Sequence, residues 1–128
     1  MVNYATSVWG LVRVYKTHSE ALEEAKNRGV IVRLAAPISS ENSAVAKEFA
    51  EVVELREIDK PFGPGFVSVD TRQLVVVESK PDDLKTDRGF DVALWTTHAL
   101  IVKAHDELFE RMWNTLPLFK ATPRKETN

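Results

Sequence analysis

Two arginines set in apolar, strand-like stretches are the side chains best suited to ligand chemistry: Arg33 within 30–36 and Arg56 within 52–58. A guanidinium there presents a planar fork of donors that matches a carboxylate or phosphate bidentately. An ion pair with an internal acid such as Glu54, Glu57 or Asp91 is at least as good a use for either one. Between those stretches and the next, Gly63-Pro64-Gly65 either shapes a close backbone approach to a ligand, since glycine removes the side chain that would block it, or simply makes a tight loop. Asp70 ends the apolar run Phe66–Val69. It can anchor a pocket, but the local hydrogen bonds of an aspartate entering a turn are the stronger reading.

The other polar residues carry less. His98 and His105 lie seven apart on one expected helix, about 10 Å along its axis, too far for one metal ion. His18 has no acid-base partner that spacing identifies and is expected in solvent. Asp82, Asp83, Asp87 and Asp91 lack the glycine and terminal glutamate of a calcium loop and read as a solvated acidic segment. No nucleophile elbow is present. The aromatic residues Trp95, Phe109 and Trp113 are candidate interface anchors, although helical spacing makes core packing the stronger reading for that group.

Composition narrows the classes further. The chain has no cysteine, which excludes disulfides and thiolate metal sites, and 17 basic against 19 acidic residues give a formal charge of -2. That balance argues against gripping nucleic acid with the whole surface. No apolar run approaches the length of a membrane span and no secretory segment opens the sequence, so a cytoplasmic protein without membrane contact is expected. No cofactor and no metal are implied.

The elements that must position these residues follow from pattern. With 128 residues the chain is sized for one domain, taken as 1–118, with 119–128 an aperiodic tail expected to be disordered. The first fifteen residues read as a strand or irregular entry. Thr17-His18-Ser19-Glu20 has the spacing of a capping box, which predicts a helix from there to Arg28, closed by Gly29. Residues 30–36 read as a buried strand. Caps among Ser39–Ser43 precede a second helix lined by Val45, Ala46, Phe49 and Ala50, and 52–58 read as another strand. After the breaker-rich loop 60–65, the runs 66–70 and 73–78 predict a hairpin turning at Thr71-Arg72. A polar excursion over 79–89 leads to a strand over 90–95. From Thr96 or Thr97 runs what should be the longest helix, striped by Leu100, Ile101, Ala104, Leu108, Phe109, Met112 and Trp113 and ending near Leu116-Pro117. This alternation predicts an α/β fold: a mixed, partly parallel sheet flanked by helices, with a long C-terminal helix.

Gly63 to Asp70 also resembles the histidine-x-lysine-x4-aspartate motif of the phospholipase D-like superfamily. Asp70 matches the aspartate, while Gly63 stands at the histidine position and Gly65 at the lysine position. In that family the histidine attacks phosphorus and the lysine neutralises the phosphoryl oxygens, and glycine has no group for either task. The resemblance therefore implies a scaffold kept and a chemistry lost. Ala25–Arg33 fits the same resemblance, and Glu107–Trp113 is similar to the closing helix of the effector domain in archaeal TrmB-like transcriptional regulators. The match spans Ala21 to Trp113 and includes no winged-helix segment. It implies a non-catalytic regulatory domain, either part of such a regulator or a free-standing relative, that forms a homodimer, with a small metabolite as candidate effector and DNA reached only through a separate or missing DNA-binding domain. The competing expectations are an interaction module without ligand and a divergent phosphodiesterase.

Overall fold

The computed structural model of the chain describes residues 1–59, 65–78 and 92–119. In chain order these hold β1 (Val2–Ala5), α1 (Val8–Asn27), β2 (Val32–Ala36), α2 (Ser43–Phe49), β3 (Glu54–Glu57), β4 (Gly65–Val69), β5 (Gln73–Glu78), β6 (Val92–Thr96) and α3 (Ala99–Trp113). Six strands form one sheet in the order β3-β2-β1-β4-β5-β6. The β1/β2 and β2/β3 pairs are parallel and the other three antiparallel, so the expected mixed sheet with flanking helices and a long C-terminal helix is what the chain forms.

Because successive strand residues face opposite sides, the sheet feeds two cores. Tyr4, Leu34 and Leu55 pack with Leu11, Leu22 and Phe49 of α1 and α2. Ala5, Ala35, Phe66 and Leu74 pack on the other face with Val102, Phe109 and Trp113 of α3. Among the described residues, no helix is long and apolar enough to cross a membrane.

Several boundaries differ from expectation. Helix α1 begins at Val8, not at Thr17, and at 20 residues it is longer than the 15-residue α3. The cap is Ser7, whose side chain accepts from the Gly10 amide at 3.1 Å. Residues 8–15, β-branched and aromatic in type, become helical because Leu11 buries in the core beside strand residues and Val12 is buried as well, and burial outweighs the few tenths of a kcal/mol per residue of helix propensity. Thr17 then lies inside the helix, with its hydroxyl donating to Arg13 O at 2.7 Å. Gly10 leaves room for the Thr6 side chain, since a Cβ there would stand 1.9 Å from Thr6 Oγ1 and make that hydroxyl move. The other end of α1 matches the prediction: Arg28 is the cap and Gly29 follows at φ 88°.

The cap of α3 is His98 rather than either threonine. Its Nδ1 accepts from the Leu100 amide at 3.3 Å, while Thr96 Oγ1 accepts from His98 N at 3.0 Å. The β4–β5 hairpin is one residue wider than predicted, because Val69 pairs with Gln73. Its turn centres on Asp70 and Thr71, at φ 54° and 55°, and Arg72 N donates to Val69 O at 3.0 Å. Two positive φ values mark the primed turn whose twist suits a hairpin. Residues 60–64 of the expected loop, the excursion over 79–89, the first two residues of the strand expected over 90–95 and residues 120–128 of the tail lie outside the described residues. Phe119, expected in a disordered tail, instead donates its amide to Leu55 O at 2.9 Å and packs against the first core.

Candidate functional site

The strand register lines up Glu54, Arg33, Asn3 and Ser68 across β3, β2, β1 and β4. This polar row sits on the face that α3 covers, with Asn3 and Ser68 buried, and α3 lays Asp106 and Glu110 over it. Arg33 Nε donates to Asn3 Oδ1 at 2.9 Å, and its guanidinium pairs with the Glu110 carboxylate. The same group lies over the rings of Phe109 and Trp113, at 5.1 and 5.4 Å from their centroids. The hydrogen bond from Arg33 holds the Glu110 carboxyl below its ordinary pKa, against a smaller opposing push from burial. Ser68 donates its hydroxyl to Asp106 Oδ1. The second oxygen of Asp106 is buried without a hydrogen-bond partner.

Arg56, one strand over, donates to Trp113 O at 2.8 Å, pairs with Glu54 at 3.2 Å, and stacks 4.5 Å from the Trp113 ring centroid. Both arginines are therefore engaged in fastening α3 to the sheet. Arg56 takes one of the acids that sequence offered it, Glu54. Arg33 instead takes Glu110, which sequence reasoning missed. The pair is separated by 77 positions, and nothing in local patterning connects them.

The remaining expected site residues do not converge on these arginines. Gly63 lies outside the described residues. Gly65 opens β4, and a Cβ there would meet Ala5 O at 3.1 Å, so the close approach it permits is to the backbone of β1. Asp70 follows the far end of the same strand, roughly 17 Å away at 3.4 Å per residue. It is 63% exposed and pairs with the Met1 ammonium at 2.5 Å, a contact that lowers its pKa. The candidate ligand residues Arg33, Arg56, Gly65 and Asp70 are therefore not gathered at one place: Gly65 opens β4, Asp70 follows its other end, and α3 engages the two arginines.

The aromatic anchors also divide. Phe109 and Trp113 stack at 5.3 Å between centroids and are buried in the core, the packing that their helical spacing favoured over an interface role. Trp95, on edge strand β6, is 61% exposed, with its indole N–H donating to Gln73 Oε1 at 3.2 Å.

A cavity of about 730 Å³ opens between α3 and the hairpin, lined among others by Asn3, Thr71, Lys103, Asp106, Glu107 and Arg111. It mixes both signs of charge and a carboxamide, a lining suited to binding polar groups. Ser68, which donates its hydroxyl to Asp106 of this lining, is itself buried.

No family model and no curated protein matches the sequence. Solved structures do. The chain superposes on TrmBL2, an archaeal chromatin protein, with a TM-score of 0.60 and 16% identity, over 92% of this chain and 45% of that one. It matches Nuc from Salmonella typhimurium, a phospholipase D family member, with a TM-score of 0.70 and 15% identity, over 93% of this chain and 81% of that one. NucT from Helicobacter pylori gives a TM-score of 0.70 at 9% identity, over 92% and 81%. The chain spans less than half the length of TrmBL2. At such identities the likeness establishes architecture: this chain has the phospholipase D-like fold, in a form similar to that of a TrmB-like protein.

Proposed function

We propose that the chain is a non-catalytic regulatory domain of the TrmB-like kind, acting as a homodimer that responds to a small molecule. DNA is reached through a separate domain. The observation that carries the reading is position 65. The resemblance puts the catalytic lysine there, whereas this chain has a glycine whose missing side chain would press on Ala5 O at 3.1 Å. Phosphoryl transfer by the family's route needs a nucleophilic ring and a cation at the start of β4, and glycine supplies no cation. The two buried-face arginines offer no substitute, since α3 and its acids already engage them. A net charge of -2 argues against direct DNA contact by this domain, and the similarity of fold to an archaeal chromatin protein supports a place in a DNA-associated protein. Response to a ligand would require different affinities for two protomer arrangements.

The test is turnover. Purified protein should not hydrolyse bis(p-nitrophenyl) phosphate, single-stranded DNA or phosphatidylcholine above a buffer blank. Turnover that disappears in Asp70→Ala would establish the divergent phosphodiesterase instead. A thermal shift with a panel of metabolites separates a sensor, which is stabilised by its ligand, from an interaction module, which is not.

A further inference from the structure

Helix α3 has two apolar faces. One face, formed by Val102, Phe109 and Trp113, is buried against the sheet. The opposite face carries Leu100 (71% exposed), Ile101 (38%), Ala104 and Leu108 (47%), with exposed Arg111 at its C-terminal end. Leu100, Ala104 and Leu108 are spaced four apart, so they line up over two turns. At 3.6 residues per turn, Ala104 points away from the core side marked by Trp113. Lys103 and Glu107 border this stripe on one flank. Both are exposed, and among the described residues neither makes an ion pair. An exposed apolar stripe edged by unpaired charge has the make-up of an interface core and rim.

We infer that this face binds the same face of a second copy, with the two α3 helices antiparallel about a two-fold axis at Ala104. The inference rests on the homodimer reading above and assigns its surface. A two-fold axis makes the contact self-complementary. With Ala104 on the axis, Leu100 of each chain lies against the partner's Leu108, and the small alanine lets the helices approach closely. The axis also maps the charged flank onto itself in reverse order. Lys103 therefore comes beside the partner's Glu107, and Glu107 beside the partner's Lys103, giving two equivalent ion pairs at the rim. A parallel pairing would turn this flank toward the border that carries Ile101 and Met112 and leave both charges uncompensated. The order of charges along α3 thus selects the antiparallel arrangement.

The chain has no cysteine, so Ala104→Cys places one thiol per protomer on the proposed axis. Mild oxidation should link it into a disulfide dimer, because the two Cβ atoms would fall within bridging distance. Sedimentation equilibrium of the unmodified chain should show a dimer. Leu108→Glu should weaken it about tenfold or more, as expected when an interface anchor becomes a charge, with unchanged circular dichroism because Leu108 lies outside the core. Lys103→Glu alone should weaken the dimer, and the double variant Lys103→Glu/Glu107→Lys should restore it. A dimer that survives Leu108→Glu and gives no Ala104→Cys cross-link overturns this interface and leaves the homodimer reading intact. A chain that stays monomeric at every concentration overturns both. The phosphodiesterase assay reports on the non-catalytic reading independently of either result.

Discussion

Arg33 shows how one side chain can look like a binding residue in sequence and serve as a fastener in the fold. A guanidinium placed under a helix loses water and must recover it as hydrogen bonds and ring contacts. Arg33 does so through Asn3, Glu110 and the faces of Phe109 and Trp113. The pair has a pH signature. Because the hydrogen bond from Arg33 lowers the Glu110 pKa, the charged form is favoured in the folded chain. Its contribution is complete above the ordinary carboxylate range and is lost as pH falls through the lowered value. Glu110 is about half exposed (49%), so solvent screens the pair. Glu110→Gln should cost about 0.5–1 kcal/mol at neutral pH and almost nothing once the acid is protonated in both states. Urea denaturation of both proteins from pH 7 down to about pH 3 should show the difference closing with acidification. A gap that stays constant with pH would mean the carboxylate charge is not what holds Arg33.

Among the elements, α1 tests the rule for helix starts. Thr17-His18-Ser19-Glu20 has capping-box spacing, yet the helix starts ten residues earlier at Ser7. The motif is local, whereas the burial of Leu11 and Val12 is tertiary. The two possibilities give opposite mutational results. Ser7→Ala should lose about 1 kcal/mol through the cap, while Thr17→Ala should be close to neutral, since an internal threonine bonded to the i−4 carbonyl contributes little. Thermal melts of the two variants distinguish them, and a costly Thr17→Ala beside a neutral Ser7→Ala would place the start where the sequence motif puts it. Other boundaries were legible because their cause is local. Gly29 ends α1 because a left-handed residue is needed there, and the hairpin appears where two β-branched runs meet a short polar gap. The hairpin is off by one residue because Asp70 and Thr71 accept positive φ without the asparagine-glycine pair that advertises such a turn.

At the scale of the molecule, α3 closes the second core across both the parallel and the antiparallel halves of the sheet, and Trp113 is its keystone. Its ring stacks on Phe109 at 5.3 Å and receives Arg56 on its face, while its carbonyl accepts from the same arginine. Trp113→Ala should therefore destabilise the chain by about 3–5 kcal/mol, more than a single truncation on the exposed face of α3 such as Leu108→Ala. Guanidinium titrations read by circular dichroism check the ranking. Equal costs would mean that α3 is not anchored through this residue.

The sequence by itself determined the α/β alternation, the parallel-then-hairpin run of strands and the apolar stripe of α3, because periods of two and of 3.6 are written into neighbouring residues. It also determined that glycine stands at position 65. Only the tertiary structure decided which acid each arginine meets and which of Trp95, Phe109 and Trp113 reach solvent. Those outcomes depend on strand order and on how α3 is laid across the sheet, and both bring together residues tens of positions apart that no local period relates.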